Sequence, residues 1–185
     1  MTKIIYQPFR LRPALCALLL IVGCVRQPVQ MQTKFDYSEH KPYADRGENT
    51  VKVQDFLRQQ GGGVVTCAGS EAILIPNTPF FREAFKHYRE IKKPQPAEKI
   101  SPEFRSMVKR SQCDAQGNFA FHNVPDGSWF LFTPVTWQVR DSEQGGMLVR
   151  EIKVANKEVT PVLLSETGRP DRYELNDLLS SFFAP

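Results

Sequence analysis

The stretch from Asn118 to Trp137 (NFAFHNVPDGSWFLFTPVTW) is the strongest constraint on how this chain can fold. Phe119 and Phe121 fall on one side of an extended chain, and Ala120 and His122 on the other, the period-two pattern of a strand. Pro125-Asp126-Gly127 then supplies a reversal, because proline fixes φ and glycine accepts positive φ. Beyond it, Trp129, Leu131, Val135 and Trp137 share one face while Phe130 and Phe132 occupy the other. The first half of that strand is therefore expected to be covered on both sides. Aromatic rows set by tight reversals predict a mainly β protein with facing layers.

The flanking segments extend the pattern. In TVKVQDFL, from Thr50, Val51, Val53 and Leu57 alternate with Lys52, Gln54 and Arg58, and Phe56 breaks the rhythm. Gly61-Gly62-Gly63 lacks the following Lys-Ser or Lys-Thr of a phosphate loop and reads as a flexible turn before two strands, VVTC and EAILIP. The run GGMLVREIKVANKEVTPVLL reads as two further strands joined near Ala155-Asn156. Between about 77 and 110 the period changes to helical. Thr78-Pro79 and Ser101-Pro102 each place a capping hydroxyl before a proline suited to the first turn. Phe81, Ala84, Phe85 and Tyr88 form one apolar stripe, Phe104, Met107 and Val108 a narrower one, and KKPQPAEK reads as a linker between the two helices. Near the end, Asp171 and Glu174 form a plausible capping box. Leu175, Leu178, Leu179, Phe182 and Phe183 follow at i, i+3, i+4, i+7 and i+8, an amphipathic helix over 169–185.

The first residues have a different character. Lys3, Arg10 and Arg12 form a basic flank without acids, followed by the apolar run ALCALLLIV (14–22). Nine residues cannot span a hydrocarbon core of about 30 Å, so the run reads as the core of a signal peptide over 1–23. It ends in Ile21-Val22-Gly23-Cys24, which resembles a bacterial lipobox. That resemblance implies acylation of Cys24 as the mature N-terminus and, with Val25 rather than Asp following, an outer-membrane lipoprotein facing the periplasm or the cell surface. Residues 24–49 are polar, carry two prolines before Tyr43 and show no period, which predicts a flexible tether before a domain over 50–168.

Removing residues 1–23 takes away three cations and no anions, so the formal charge of +4 falls to +1. A near-neutral chain has no general electrostatic drive toward nucleic acid. One local exception runs from Arg82 to Arg110, with nine Lys or Arg against four Glu. Cys16 leaves with the signal and Cys24 takes the lipid. In an oxidising compartment the remaining Cys67 and Cys113 are expected to form a disulfide. A zinc site using Cys67, Cys113, His87 or His122 is the rival, without a C-x-x-C or H-x-x-x-H pair to support it.

The series VVTCAGSEAILIPNTPF and CDAQGNFAFHNVPDGSWFLF resembles the carboxypeptidase regulatory-like, transthyretin-like family. Asp114, Gly117, Phe119, Phe121, Val124, Pro125, Gly127 and Trp129 match its motif well, and Gly69, Ile73 and Pro76 loosely. The resemblance covers roughly 50–165. It implies an antiparallel β-sandwich, here with a helical insertion and a C-terminal amphipathic helix, in which Asp114 and Gly117 close a hairpin turn. A weak calcium site at Asp114–Asn118 is the alternative, although an EF-hand would need Gly and Glu where Phe119 and Pro125 stand.

These readings predict a non-catalytic binding or scaffold module at the membrane surface, with an envelope protein as partner, no cofactor and no metal. The surfaces expected to bind are Arg82, Lys86 and Arg89, Trp137, and the stripe Leu175, Leu178, Leu179, Phe182 and Phe183. Carbohydrate binding is a second expectation, with Trp129, Trp137 and Tyr88 as candidate platforms, although both tryptophans alternate in frame with aliphatic neighbours as core residues do. A hydrolase with an unrecognised site around His87, His122, Asp114 and Asp126 is the third.

Overall fold

A computed structural model describes residues 27–90, 92–95 and 104–165. Cys24, the predicted signal peptide and the predicted C-terminal helix with Leu175, Leu178, Leu179, Phe182 and Phe183 lie outside the described residues.

Two sheets face each other. The first holds β2 (Asn49–Arg58), with β10 (Val159–Leu164) on its path and β3 (Val64–Thr66) and β7 (Asn118–Val124) also paired to it. The second runs in the order β6 (Lys109–Gln112), β4 (Glu71–Pro76), β8 (Gly127–Val139), β9 (Ser142–Val154). Strands β8 and β9 form one long hairpin, in register from Gly127↔Val154 to Val139↔Ser142. The antiparallel expectation needs one correction within the sandwich, since β10 runs parallel to β2, with Val162 opposite Val53. Nearly the whole domain separates these two strands, which supplies the long connection that parallel neighbours require.

The inter-sheet core follows the predicted alternation. Val51, Val53 and Leu57 of β2 and Phe119 and Phe121 of β7 meet Ala72 and Leu74 of β4 and Trp129, Leu131 and Val135 of β8. Trp129 is 0% exposed. Its indole N–H donates to the Pro125 carbonyl at 3.2 Å, and Tyr43 meets its ring edge-on at 5.0 Å. Burying such side chains contributes about 1.5–3 kcal/mol each.

A second core lies on the opposite face of the second sheet, where Ile73, Ile75, Phe130, Phe132 and Met147 pack against Phe80, Phe81 and Ala84 of α2 (Pro79–Arg89). This explains why EAILIP and SWFLF read as continuous apolar runs, because each side chain has a layer to enter. The Phe81–Ala84–Phe85 stripe covers the protein's own sheet, and Phe85 rests against Phe130 and Phe132 at 5.5 and 5.3 Å.

Three expectations for this layer are corrected. Residues 27–49 are not a free tether. They contain β1 (Gln27–Gln30) and α1 (Tyr37–Ala44), and Met31 and His40 are buried in the helical layer. The segment looked structureless because its anchoring side chains, Met31, Phe35, His40 and Tyr43, are widely spaced among polar ones. KKPQPAEK is not wholly a linker, since Lys92–Gln95 forms β5 and pairs parallel with β1. Pro94 is tolerated there because a two-stranded ribbon leaves one side of each strand without ladder bonds. The second predicted helix is the four-residue α3 (Phe104–Met107), after which β6 pairs with β4 and the chain becomes extended.

Candidate functional site

The strap formed by residues 27–49 is held on α2 by one carboxylate. Glu83 accepts hydrogen bonds from the backbone N–H groups of Gln32 and Thr33, both at 2.7 Å, and lies 3.4 Å from His87. Burial alone would raise the Glu83 pKa, but these donors, the Thr33 hydroxyl included, outweigh it and hold the carboxyl at about 2. Hydrogen bonds to a charged group contribute roughly 1.5–3 kcal/mol, enough to order a short peptide against a helix.

His40 fastens the strap a second time. Its ring is buried, stacks on Phe35 at 4.2 Å, and places Nδ1 2.6 Å from the Asp36 carbonyl and Nε2 2.8 Å from the Thr78 hydroxyl. A carbonyl can only accept, so Nδ1 carries the proton and a neutral ring accepts at Nε2 from Thr78. Burial lowers the pKa of His40, and the bond to the Asp36 carbonyl pulls the other way. The Thr78 hydroxyl, predicted as a helix cap, is thus engaged with the strap.

Arg82, Lys86 and Arg89 lie together on the exposed side of α2. Arg82 bonds the carbonyl and side-chain oxygen of Asn77 at 3.3 and 3.0 Å, and the Arg89 guanidinium sits 6.0 Å from the Phe85 ring centre. Trp137 belongs elsewhere. It is half-buried at the end of the inward row of β8, where it packs against the inter-sheet core, on the other side of the second sheet from α2. These residues therefore form two separate surfaces. Gly145, opposite Thr136 with φ 87°, lies under the Trp137 ring, and a Cβ there would come within 2.8 Å of the indole. Trp129 is removed as a sugar platform because it fills the core. The Tyr88 side chain lies outside the described residues.

The disulfide is present. Cys67, just after β3, is bonded to Cys113, just after β6, so it joins the two sheets, and the cysteines are not available as zinc ligands. Among the described residues no three His, Cys, Asp or Glu come together as metal ligands. The Asp114 fragment is a turn: Gly117 N–H donates to the Asp114 carbonyl at 3.1 Å, and Asp114 Oδ1 accepts from Asn118 and Gln116 N–H at 2.8 and 2.9 Å. The bond from the Asn118 N–H leads a set of backbone and side-chain donors that holds its carboxyl below the ordinary range. Gly117 has φ 85°, and a Cβ on it would lie 2.4 Å from the Asp55 carbonyl.

The residues considered for an unrecognised hydrolase are dispersed. His87 is on α2 beside Glu83, and His122 lies on β7 with its Nδ1 3.4 Å from the Thr50 hydroxyl. Asp126 accepts from the Asn49 amide at 2.8 Å, and Asp114 closes its own turn. His87 belongs to the helical layer and His122 to the first sheet, with the second sheet between them.

One buried ionisable group escaped the sequence reading. Asp55 occupies the inward frame of β2 between Val53 and Leu57 and is 0% exposed. Both its carboxyl oxygens, and the hydroxyl of the equally buried Thr133 on β8, have no hydrogen-bond partner of good geometry among the described residues. Burial pushes the Asp55 carboxyl up to about 7, with the nearby Thr133 hydroxyl acting in the opposite direction. The signal was available: a carboxylate stands in step with three apolar residues in VKVQDFL.

No family model and no curated protein matches this chain. Among solved structures it is similar to a candidate carbohydrate-binding protein from Pseudomonas aeruginosa, at 19% identity and a TM-score of 0.57, over 72% of this chain and 99% of that one. It also aligns with the major pilin subunit of Bacillus cereus at 13% identity and a TM-score of 0.38, over 66% of this chain and 30% of that one. The first likeness is one of fold, and the second carries no argument.

Proposed function

We propose that this chain is a non-catalytic binding module of the bacterial envelope, moored to the outer membrane by acyl chains on Cys24. The observation that carries the reading is the dispersal of the candidate acids and bases over separate elements. Glu83, His40, Asp114, Asp126 and Arg82 each serve local architecture, and the candidate acids and bases stand on separate elements. A general base must stand within hydrogen-bond reach of the proton it removes, alongside its partner groups. The Ile21-Val22-Gly23-Cys24 sequence supports the anchor, since two or three acyl chains at about 0.8 kcal/mol per buried methylene hold a protein on a bilayer. Intact-mass measurement of the protein extracted from native membranes is expected to show a chain beginning at Cys24 and carrying acyl mass. A chain with a free thiol at Cys24 would refute the anchor.

Carbohydrate is the ligand class best matched to the exposed part of Trp137. A half-buried indole held at the mouth of the sandwich presents an apolar platform, and Gln144, directly opposite it on β9 with its amide 3.1 Å from the Ser142 hydroxyl, supplies polar groups on the same face. The name of the Pseudomonas aeruginosa neighbour points the same way. On a glycan array the wild-type chain is expected to give signals that Trp137→Ala abolishes while the far-ultraviolet circular dichroism stays unchanged. Equal binding by both proteins would remove Trp137 from the site.

A further inference from the structure

We propose that the side of the body formed by α2 and β5 is a docking face for anionic phospholipid headgroups. The proposal rests on the anchored reading above and adds the orientation of the body on the bilayer.

The geometry begins with the strap. Strand β1 starts at Gln27, three residues after Cys24, and pairs at once with β5, Gln27 opposite Lys92 and Pro28 opposite Lys93. Met31 is then buried against α2, and Gln32 and Thr33 are pinned to Glu83. Only Val25 and Arg26 separate an acylated Cys24 from this fixed segment. At about 3.3–3.6 Å per extended residue they reach roughly 10 Å, where a free tether to residue 49 would have reached several times farther. The polar headgroup region is itself roughly 5–7 Å thick on each side of the hydrocarbon. An acylated Cys24 would thus bring the β1–β5 ribbon to the headgroups.

The charge of the elements brought there fits that environment. From Arg82 to Lys93 the chain carries five cations, Arg82, Lys86, Arg89, Lys92 and Lys93, against Glu83 and Glu90. Lys86 and Arg89 are exposed on α2, and Lys92 and Lys93 occupy the register positions beside the start of β1. Glu83 directs its oxygens to the strap's backbone, and Glu90 lies 4.0 Å from His87. The mature chain as a whole has a charge of only +1, whereas the segment from Arg82 to Lys93 alone carries +3. Anionic headgroups attract cations lying within a Debye length of about 8 Å, and each such Lys or Arg raises partitioning about fivefold.

The test uses the mature chain from residue 24 with Cys24→Ser, so that no acyl chain contributes. Partitioning is measured on vesicles of equimolar phosphatidylglycerol and phosphatidylcholine, and on phosphatidylcholine alone. Salt-sensitive binding to the anionic vesicles is expected. The combined variant Lys86→Gln, Arg89→Gln, Lys92→Gln, Lys93→Gln should lose roughly a hundredfold or more of it. A control set with equal charge loss elsewhere (Lys52→Gln, Arg58→Gln, Arg140→Gln, Lys153→Gln) should lose less than a tenth as much. Equal losses in both sets, or equal binding to neutral and anionic vesicles, would overturn the docking face. The acyl mass at Cys24 is read separately, so a failed anchor and a failed docking face give different results.

Discussion

Replacing Asp55 by Asn is expected to stabilise this protein at pH 8 by about 3–4 kcal/mol and to change it little at pH 4. A carboxyl whose folded pKa is about 7 holds its proton in the native state while the unfolded chain, near its ordinary value of 3.8, has released it. Between those values the native state binds more protons, so stability is full below about pH 4 and falls as pH rises through 7. Three pKa units at 1.36 kcal/mol each give an upper figure of about 4 kcal/mol. The physical source is the surroundings: the inter-sheet core is apolar, Leu164 stands beside Asp55 on β10, and the Thr133 hydroxyl opposes the shift. His40 acts in the opposite sense. Its folded pKa is depressed, so the stability it contributes is present at higher pH and is lost as pH falls. Subtracting the urea-unfolding pH profile of Asp55→Asn from that of the wild type isolates the carboxyl. Parallel profiles would show that Asp55 is not protonated in the native state at neutral pH.

The second large effect is expected from the disulfide. Cys67 and Cys113 are 46 residues apart, and closing such a loop stabilises by about 4 kcal/mol on the chain-entropy estimate. The bridge joins the end of β3 in the first sheet to the end of β6 in the second, beside the Gly117 carbonyl that accepts from Asp55 N–H at 2.8 Å. The double variant Cys67→Ala, Cys113→Ala is expected to lose most of that stabilisation, read as a lower urea midpoint with an unchanged or slightly larger slope. Both cysteines are buried, so a mild reductant should act on the native wild type only as fast as the protein opens. A midpoint unaffected by the double substitution would mean that the two sheets hold their alignment without the bridge.

Much of the sandwich is legible in the sequence. The alternation of Val51, Val53, Phe119 and Phe121 placed one face of β2 and β7, and the doubled aromatic row at Trp129–Phe132 announced a strand covered on both sides. Turn chemistry at Asp114–Gly117 and Pro125–Gly127 marked the reversals because proline, glycine and a short carboxylate act locally. The candidate surfaces were less legible. Arg82, Lys86 and Arg89 could be grouped on a helix from their spacing and Trp137 on the face of Trp129, yet nothing in the chain indicated that α2 covers the opposite face of that sheet.

What the sequence determined by itself was local: which segments extend, which face of each is apolar and where the chain turns. Tertiary structure alone decided the rest. It folded 27–49 onto α2 through Glu83 and His40, ran β10 parallel to β2, and enclosed Asp55 opposite Thr133. Periodicity reports a residue's neighbours within a turn or a strand. Contacts between residues far apart in the chain depend on which faces meet, and that is fixed only when the layers close.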